Sequence, residues 1–522
     1  MMENTYPAAG GTASEAASSS SPLQCDVLVI GGGPAGSTAA TLLARQGHSV
    51  LLLDKDRHPR FHIGESLLPA NLPLFEQLGV ADEIRAIGIT KHAAEFVSPA
   101  HGNRKQAFEF AQAWDKTMPF AYQVRRSEFD RILLDNAARS GAQVFQQCKV
   151  ESVDLEATPE WAEARARHAD GREITCRARF VVDASGRDTF LASRMKIKHK
   201  NPRHNSVAVF AHFANARRNP GAAEGNITIY WFDHGWFWFI PLQDGATSVG
   251  MVTWPYFMRT RGERSLRQFL LDGIAQCPPL AERLQDAQIV HEPEATGNFS
   301  YLSERTHGRN YVLLGDAFAF IDPVFSSGVL LAMQSAFAAA RAIDVWLKQP
   351  AQRAQALAQL DRDMRHGPRE FSWFIYRMTT PAMRDLFMGP RNTFRVKEAI
   401  ISLLAGDIYG QTPIWRSLRV FKAIYYLTSL AQLPTSLRSW RWRKQAIRTV
   451  DEVCSPSLTS ASPGFQFAGM RHALWISMDS EPPALKTFSV SRKVFGPSRR
   501  LMSSSALYSL SSDSHCLKLP SR

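Results

Sequence analysis

The N-terminal part of the chain alternates between apolar runs and a stretch of helical composition. Residues 26–30 are mostly β-branched and apolar, as is typical of a strand buried on both faces. A glycine-rich turn follows, then a segment of helical composition, 37–46, and then a second apolar run, 49–53, that ends at Asp54. This order predicts a strand, helix, strand unit of the kind that builds parallel sheets.

The glycines of that turn have the spacing G-x-G-x-x-G. In such a turn Gly31 permits the tight bend, Gly33 lets a pyrophosphate approach the backbone, and Gly36 allows the helix to pack closely on the strand. The helix N-terminus offers unpaired N–H groups to the phosphates, and Asp54 would accept hydrogen bonds from ribose hydroxyls. We therefore assign Gly31, Gly33, Ala35, Gly36 and Asp54 to a dinucleotide site.

Further apolar runs predict buried elements downstream. Residues 180–186 and 311–317 each indicate a strand that enters a glycine turn. The longest apolar stretch, 324–346, contains six polar or charged residues, which favours a buried helix over a membrane span. Residues 235–241 alternate tryptophan with phenylalanine, a pattern that a core strand would explain by itself.

Composition sets the class of protein. The 522 residues, 45% of them hydrophobic, are enough for two or three domains. The first 24 residues lack the apolar segment of a signal peptide, so we expect a cytoplasmic protein. The six cysteines form no C-x-x-C pair, which argues against a zinc site or a disulfide framework. We therefore expect reduced thiols and no metal.

Positive charge is concentrated towards the C-terminus. The net charge is +13, and residues 349–450 contribute +11, with 17 Lys and Arg against 6 Asp and Glu. Amphipathic runs there predict helices with a basic face, which solvent, an acidic protein partner or an anionic membrane could cover. No nucleic-acid-binding motif accompanies the charge, so we expect no nucleic acid partner. From Ser455 onward, 17 serines in 68 residues predict weak order.

Three segments together resemble the signatures of flavin-dependent halogenases, which belong to the p-hydroxybenzoate hydroxylase-like flavoproteins. They are the W-x-W-x-I-P spacing that starts at Trp236, the stretch F-I-D-P-V-F-S-S-G over 320–328, and the loop G-E-S-L-L-P over 64–69 with Lys91 downstream. The resemblance covers roughly residues 25–345. It implies an α/β fold with a Rossmann-type FAD-binding domain, a β-sheet substrate domain and a helical C-terminal module.

The same resemblance implies FAD as the cofactor, used as FADH2. Arg126 lies in a stretch similar to the conserved-arginine segment that opens a helix in these flavoproteins. Asp316 matches the Gly-Asp fingerprint whose carboxylate binds the ribityl chain, although a helix cap would also explain it. We add Val329, at the start of the long apolar helix, to the residues expected to contact FAD.

Catalytic roles follow from the resemblance as well. Trp236 and Trp238 would form a wall between flavin and substrate, and the N–H groups of Ser327 and Gly328 would bind chloride or bromide. Lys91, which follows a predicted helix over 74–87, would hold hypohalous acid beside the arene. A buried position would make this lysine reactive.

Substrate and partners are less narrowly defined. Tryptophan halogenases carry a glutamate where this chain has Phe325, which puts free tryptophan in doubt and favours phenolic, pyrrolic or acyl-carrier-protein-bound aromatics. No second G-x-G-x-x-G indicates an NAD(P)H domain, so we expect a separate flavin reductase. Two alternatives remain: an aromatic monooxygenase of the same fold, and a non-catalytic flavin-binding protein.

The predicted domain organisation has four parts. Residues 1–23 are expected to be disordered, 24–348 to form the FAD-binding domain with a substrate domain inserted at about 92–122 and 195–300, 349–450 to form the basic helical module, and 451–522 to form a disordered tail. In the helical module we expect a docking surface for an acidic carrier protein or, alternatively, peripheral contact with anionic lipid; its predicted residues are Arg438, Arg441, Arg443 and Lys444.

Overall fold

A computed structural model describes residues 22–202, 204–297, 300–409 and 412–448, without the side chains of 445–448. The predicted tail at 451–522 lies outside the described residues. So do residues 1–21 of the predicted N-terminal segment 1–23. Four cysteines are described, and all four are buried free thiols: Cys25, Cys148, Cys176 and Cys277.

The strands, numbered in chain order, are β1 (Leu23–Ile30), β2 (Val50–Leu53), β3 (Gly88–Lys91), β4 (Ala93–Ser98), β5 (Arg104–Glu109), β6 (Ala121–Val124), β7 (Gln143–Phe145), β8 (Cys148–Asp154), β9 (Ala162–His168), β10 (Glu173–Asp183), β11 (Lys198–Lys200), β12 (Val207–Ala214), β13 (Ile227–Phe232), β14 (Gly235–Pro241), β15 (Thr247–Thr253), β16 (Gln288–Ile289), β17 (Glu294–Gly297), β18 (Tyr301–Ser303), β19 (Tyr311–Leu313) and β20 (Ala319–Phe320).

The helices are α1 (Pro34–Arg45), α2 (Leu72–Leu78), α3 (Ala81–Ile87), α4 (Arg126–Arg139), α5 (Phe190–Arg194), α6 (Pro255–Arg259), α7 (Leu266–Ala275), α8 (Pro278–Arg283), α9 (Gly328–Lys348), α10 (Arg353–Ile375), α11 (Pro381–Met388), α12 (Val396–Ala405), α13 (Ile414–Ala431) and α14 (Leu433–Arg448).

A seven-stranded sheet is built around the predicted strand, helix, strand unit. β1 pairs in parallel with β2 on one side and with β10 on the other. β10 changes partner along its length: its first half pairs with antiparallel β9, and residues 181–183 pair with parallel β19. The carboxyl ends of β1, β2, β10 and β19 therefore meet at one edge, where ligands bind in sheets of this type. The predicted α/β fold class is confirmed.

Two helix boundaries differ from the sequence predictions. α1 begins at Pro34 rather than at Ser37, because the fixed φ of proline suits the first helical position. The predicted helix over 74–87 is two helices, α2 and α3, which Gly79 separates with a left-handed φ of 68°. The apolar spacing in the sequence continues across this break between the two helices. Gly79 was the residue that could have indicated it.

An eight-stranded sheet carries the aromatic segment. Its strands β4 and β5 come from residues 93–109, and the others come from 207–297. β14 lies in its interior between β13 and β15. Trp236, Trp238 and Ile240 belong to one hydrophobic core, whereas Phe237 and Phe239 belong to a second core beneath α7 and α8. The segment is thus a core strand, as its alternation alone suggested, and its tryptophans still share one face.

The C-terminal helices complete the first of those cores. Buried side chains of α11, α12 and α13 join Phe96, Phe108 and Trp231 of the eight-stranded sheet in one cluster. By length and composition α9 could cross a membrane, but 61% of its most apolar segment is buried inside the protein. The prediction of a buried helix rich in small residues agrees with this placement.

We predict that Gly36→Val greatly weakens FAD binding. A Cβ at Gly36 would lie 1.9 Å from the Gly31 carbonyl oxygen, so α1 would have to move away from the turn that holds the cofactor. Isothermal titration with FAD should show at least a roughly hundredfold rise in Kd, about 3 kcal/mol. Gly36→Ala serves if the valine variant does not fold. Gly389→Ala, whose Cβ would make an ordinary 3.5 Å contact, is the matched control; equal titration curves for all variants would contradict this packing argument.

Candidate active site

A cavity of about 390 Å³ lies at the carboxyl edge of the seven-stranded sheet and extends to the eight-stranded sheet. Most of the predicted site residues line it, whereas Gly36, Ser327 and Lys91 are not in its wall. The predicted residues in the wall are Gly31, Gly33, Ala35, Asp54, Arg126, Asp316, Gly328, Val329, Trp236 and Trp238.

The glycine turn and Asp54 form one end of the cavity. Gly31 has a φ of 101°, which a side chain would strain, and Gly36 packs against its carbonyl group. The Asp54 carboxylate accepts hydrogen bonds from the N–H groups of Gly32 and of Asp56, the latter at 2.7 Å. Burial raises the pKa of Asp54, but His58, whose Nε2 lies 3.6 Å from the carboxylate, and the hydrogen bonds from the Asp56 and Gly32 N–H groups outweigh it and hold the pKa below its usual value. Asp54 is therefore a fixed anionic acceptor.

Arg60 is a basic group at this end that the sequence analysis missed. Its Nη2 lies 3.7 Å from the position a Cβ would take at Gly33, and its guanidinium forms ion pairs with Asp56 at 3.4 Å and Asp130 at 3.6 Å. A guanidinium beside this turn could neutralise a pyrophosphate. Arg60 lies in a polar loop without periodicity, so no local pattern distinguished it.

Arg126 holds the backbone just before Gly64 through a hydrogen bond to the Ile63 carbonyl. Its Nε and Nη2 donate to the two oxygens of Asp130 at 2.8 and 3.0 Å, and its Nη1 donates to the carbonyl of Ile63 at 2.9 Å. Both charged side chains are buried. Such a bidentate pair fixes the guanidinium plane, so Arg126 positions the segment before Gly64 and also lines the cavity.

Asp316 lies in the turn after β19 and lines the cavity. Burial raises its pKa to about 6, although the guanidinium groups of Arg187 and Arg126 act in the opposite direction. A ligand that donates hydroxyl hydrogen bonds would favour the ionised form of this carboxyl.

The two tryptophans form the opposite wall. Their ring centroids are 6.0 Å apart, and both residues are almost fully buried. Trp238 donates from Nε1 to Ser248 Oγ at 3.1 Å, and its ring covers Gly250 so closely that an added Cβ would lie 2.1 Å from a ring carbon. The hydrogen bond and the glycine together fix the plane of Trp238.

A strained turn leads into α9. Ser326 has a left-handed φ of 56° between the short helical turn 323–325 and the α9 N-terminus. Gly328 is exposed to the cavity, and no atom lies within 4 Å of the position of an added Cβ. Ser326 lines the cavity, whereas Ser327 is buried behind it. The first N–H groups of a helix lack helical partners, so this turn can present donors to an anion.

Lys91 is buried behind the G-E-S-L-L-P loop at the end of β3. Its Nζ donates to Ser66 Oγ and to the Leu67 carbonyl, both at 3.0 Å, and lies 5.3 Å from the centre of the Phe110 ring. Burial lowers the pKa of Lys91 to about 7. Ser66 lines the cavity. Lys91 is therefore connected to the cavity wall through its hydrogen bond to the Ser66 side chain.

The same loop carries a buried pair to which the sequence analysis gave no role. His212 of β12 lies with Nε2 2.8 Å from Glu65 Oε1. Glu65 lines the cavity, and among the described residues its buried Oε2 has no hydrogen-bond partner. His212 is distant in sequence, so only the fold shows this pairing.

Comparison with known proteins defines the family. The FAD binding domain family matches residues 24–362. A tryptophan 2-halogenase from Chondromyces crocatus is 35% identical over 62% of this chain and 61% of its own length, so the chain spans less than two thirds of that relative. A 1H-pyrrole-2-carbonyl-[peptidyl-carrier protein] chlorinase from Pseudomonas fluorescens is 30% identical over 74% of this chain and 90% of its own length. The chain belongs to the flavin-dependent halogenases.

A solved structure agrees with this membership. The FAD-dependent myxobacterial chondrochloren halogenase CndH is 34% identical, with a TM-score of 0.65 over 79% of this chain and 97% of its own. The match to the FAD binding domain family and the halogenase relatives confirm FAD as the predicted cofactor and agree with the predicted enzyme class.

Lys91→Met should change how stability depends on pH. Between pH 7 and about 10.5, Lys91 is neutral in the folded enzyme and protonated in the unfolded chain, so the wild type gains up to about 1.4 kcal/mol per pH unit from this group. The variant lacks this gain. Urea unfolding at pH 7, 8 and 9 should therefore show the stability of the wild type rising relative to that of the variant. Exposed Lys116→Met is the control; parallel curves for wild type and Lys91→Met would contradict the low pKa.

Asp316→Ala should weaken FAD binding by roughly 10- to 100-fold, the effect of losing hydrogen bonds to a charged acceptor. The reason is its position in the cavity wall, where its carboxylate can accept from a ligand hydroxyl. Fluorescence titration with FAD measures the change. Asp272→Ala removes a carboxylate on the distant helix α7 and should leave the affinity unaltered. An Asp316→Ala Kd equal to that of this control would remove Asp316 from the cofactor site.

Proposed function

We propose that the enzyme uses FADH2, O2 and chloride or bromide to halogenate an electron-rich aromatic substrate in secondary-metabolite biosynthesis. The observation that carries this proposal is Lys91, a buried amine with a lowered pKa that contacts Ser66 at the edge of a cavity walled by two tryptophans. A merely solvated lysine would have neither feature.

The residues present fit FAD. Gly33 leaves room for a phosphate beside Arg60, Asp54 is an ionised acceptor for ribose hydroxyls, and Asp316 lies further along the same cavity. Reduced flavin, when bound, supplies the reducing power that activates O2 for oxidation of halide. The chain itself positions the cofactor, excludes water and separates it from the organic substrate.

In this proposal the turn before α9 holds the halide. The N–H groups of Ser327 and Gly328 are the donors, and the helix N-terminus adds a favourable dipole. The hypohalous acid formed there passes Trp236 and Trp238 and is held by Lys91. Because Lys91 lies behind Ser66, the route includes this serine. With a pKa near neutrality, the amine can be protonated or neutral at the working pH, as transfer of a proton at Nζ requires.

The substrate class is a phenol, a pyrrole or another electron-rich ring, free or bound to an acyl carrier protein. Support comes from relatives named for pyrrole-2-carbonyl-carrier protein and for tryptophan. We further propose a separate flavin reductase as partner, since the chain carries one G-x-G-x-x-G motif of the kind described, and a cytoplasmic site of action.

The decisive assay combines the enzyme, a flavin reductase, FAD, NADH and a panel of phenols, pyrroles and indoles, with product detection by mass spectrometry. We expect chlorinated or brominated product only when halide is present. Hydroxylated product without halide would favour the monooxygenase alternative, and FAD binding without any turnover would favour a non-catalytic flavoprotein.

Lys91→Ala tests the role of the lysine in the same assay. We expect product formation to fall at least roughly 10³-fold, because no other described group replaces the amine at that position. FAD binding should stay at the wild-type value, since Lys91 is outside the cavity wall. Lys116→Ala, an exposed lysine, is the control. Near-normal halogenation by Lys91→Ala would show that Lys91 is not catalytic.

A further inference from the structure

The outer face of α13 and α14 concentrates exposed apolar side chains. Of the twelve large hydrophobic residues that are exposed in the described part of the chain, seven lie between residues 426 and 442. They are Tyr426, Leu427, Leu430, Leu433, Leu437, Trp440 and Trp442. A cluster of this kind marks an interaction surface, since single exposed apolar residues are ordinary but contiguous ones are not.

α14 has its polarity reversed relative to an ordinary surface helix. Its partly buried positions are Ser436, Ser439 and Arg443, whereas Leu433, Leu437 and Trp440 are 45%, 42% and 58% exposed. A helix that packs on a protein core normally buries its apolar stripe. Here the apolar stripe faces outward, so packing among the described residues does not account for it.

The charged residues of α14 itself are all positive. α14 contains no Asp or Glu, and Arg438, Arg441 and Lys444 are exposed. Lys444 Nζ lies 4.9 Å from the centre of the Trp440 ring. Leucine and tryptophan beside arginine and lysine suit the interface of an anionic bilayer, where the rings lie at the headgroups and each cation adds about 1 kcal/mol.

We propose that the outer face of α13 and α14 binds the surface of an anionic lipid bilayer. Leu430, Leu437 and Trp440 enter the boundary between headgroups and acyl chains, and Arg438 and Arg441 contact anionic headgroups. A second copy of the chain suits this face less well, because it would bring like charges together. Arg443 does not belong to this surface: its guanidinium points inward, which corrects its inclusion in the predicted docking surface.

Vesicle co-sedimentation tests this proposal with the full chain. We expect binding to phosphatidylcholine vesicles that contain 30% phosphatidylglycerol, and at least tenfold weaker binding to phosphatidylcholine alone. Leu437→Ser with Trp440→Ser, and separately Arg438→Glu with Arg441→Glu, should each reduce binding to the anionic vesicles at least tenfold. Leu271→Ser, an exposed leucine on α7, should bind like the wild type.

Other outcomes would overturn the lipid assignment. They are absence of anionic-vesicle binding at 50 mM salt, equal binding by wild type and both double variants, binding to an acidic acyl carrier protein in place of vesicles, and concentration-dependent dimerisation that the leucine and tryptophan changes abolish. FAD titration of each variant verifies that it is folded.

The inner side of α14 carries a second, independent observation. Arg443 Nη2 lies 2.9 Å from His204 Nδ1, and its Nη1 donates to the Tyr376 carbonyl. Since a guanidinium has no acceptor, Nδ1 must accept, and the proton of a neutral His204 lies on Nε2. That Nε2 donates to Asp322 Oδ2 at 3.0 Å. Burial lowers the pKa of His204, in agreement with the neutral ring.

Asp322 joins this chain of hydrogen bonds to the turn before α9. Its Oδ2 also accepts from Ser206 Oγ at 2.9 Å, and its Oδ1 accepts from the Val324 N–H at 3.3 Å. The carboxylate therefore caps the helical turn 323–325, which leads directly into Ser326 and Gly328. Removing Arg443 would leave Nδ1 of His204 without this donor, and the ring could then change tautomer or orientation.

The geometry points to Arg443 as a positioning residue for the turn that presents N–H groups to halide. This inference rests on the proposed function for its kinetic consequence, and on the hydrogen-bond geometry for its structural one. Arg443 acts through His204 and Asp322 and does not line the cavity.

The test compares Arg443→Met with Arg416→Met, a change at an exposed arginine on α13. We expect Arg443→Met to raise the halide KM at least fivefold, with a smaller change in kcat and an unchanged Kd for FAD. Arg443→Lys, which can still donate to His204, should recover part of the halide affinity. A halide KM equal to that of the control, in an active enzyme, would overturn the inference.

A structural readout keeps this inference separate from the proposed function. Hydrogen exchange of backbone amides at 323–330 should be several-fold faster in Arg443→Met than in the wild type and Arg416→Met, whether or not halogenation is detected. Unchanged exchange there would overturn the positioning role. A wild type that yields no halogenated product would instead contradict the proposed function alone.

Discussion

The structure depends on the period-two alternation of side chains along β14. Phe237 and Phe239 are committed to the core beneath α7 and α8, so the pleat directs Trp236 and Trp238 to the other face, where they wall the cavity. A slip of one residue would exchange the two sets. Pairing with β13 on one side and β15 on the other fixes the register, so the position of the wall is determined by the interior of the sheet.

The parts of the site that could be predicted from sequence are those whose function needs a local backbone geometry. The glycine turn and Asp54 are an example, since helix packing and phosphate approach dictate residue type at fixed spacing. The tryptophan spacing is another, because a strand places alternate residues on one face. The family resemblance supplied the rest of the candidate site, including Asp316 and Lys91.

The features that sequence did not predict arise from contacts between distant segments. Nothing near Arg126 showed that the Ile63 carbonyl would accept a hydrogen bond from its guanidinium, and Arg60, which pairs with Asp130, lay in a loop without periodicity. The inward direction of Arg443 depends on His204, more than two hundred residues earlier. Basic composition indicated a charged helix face, but which arginine is solvent-exposed is decided by packing of α14.

The close fit of Trp238 on Gly250 has a consequence for altering this enzyme. The ring fills the space that any side chain at residue 250 would need, and the hydrogen bond from its Nε1 to Ser248 Oγ holds it there. Tryptophan and glycine are thus a size-matched pair across neighbouring strands. A smaller residue at 238 would leave a groove over the backbone of Gly250. A larger residue at 250 could fill that groove. Changing the tryptophan wall of the cavity to admit bulkier ligands would therefore need coordinated substitutions at both positions.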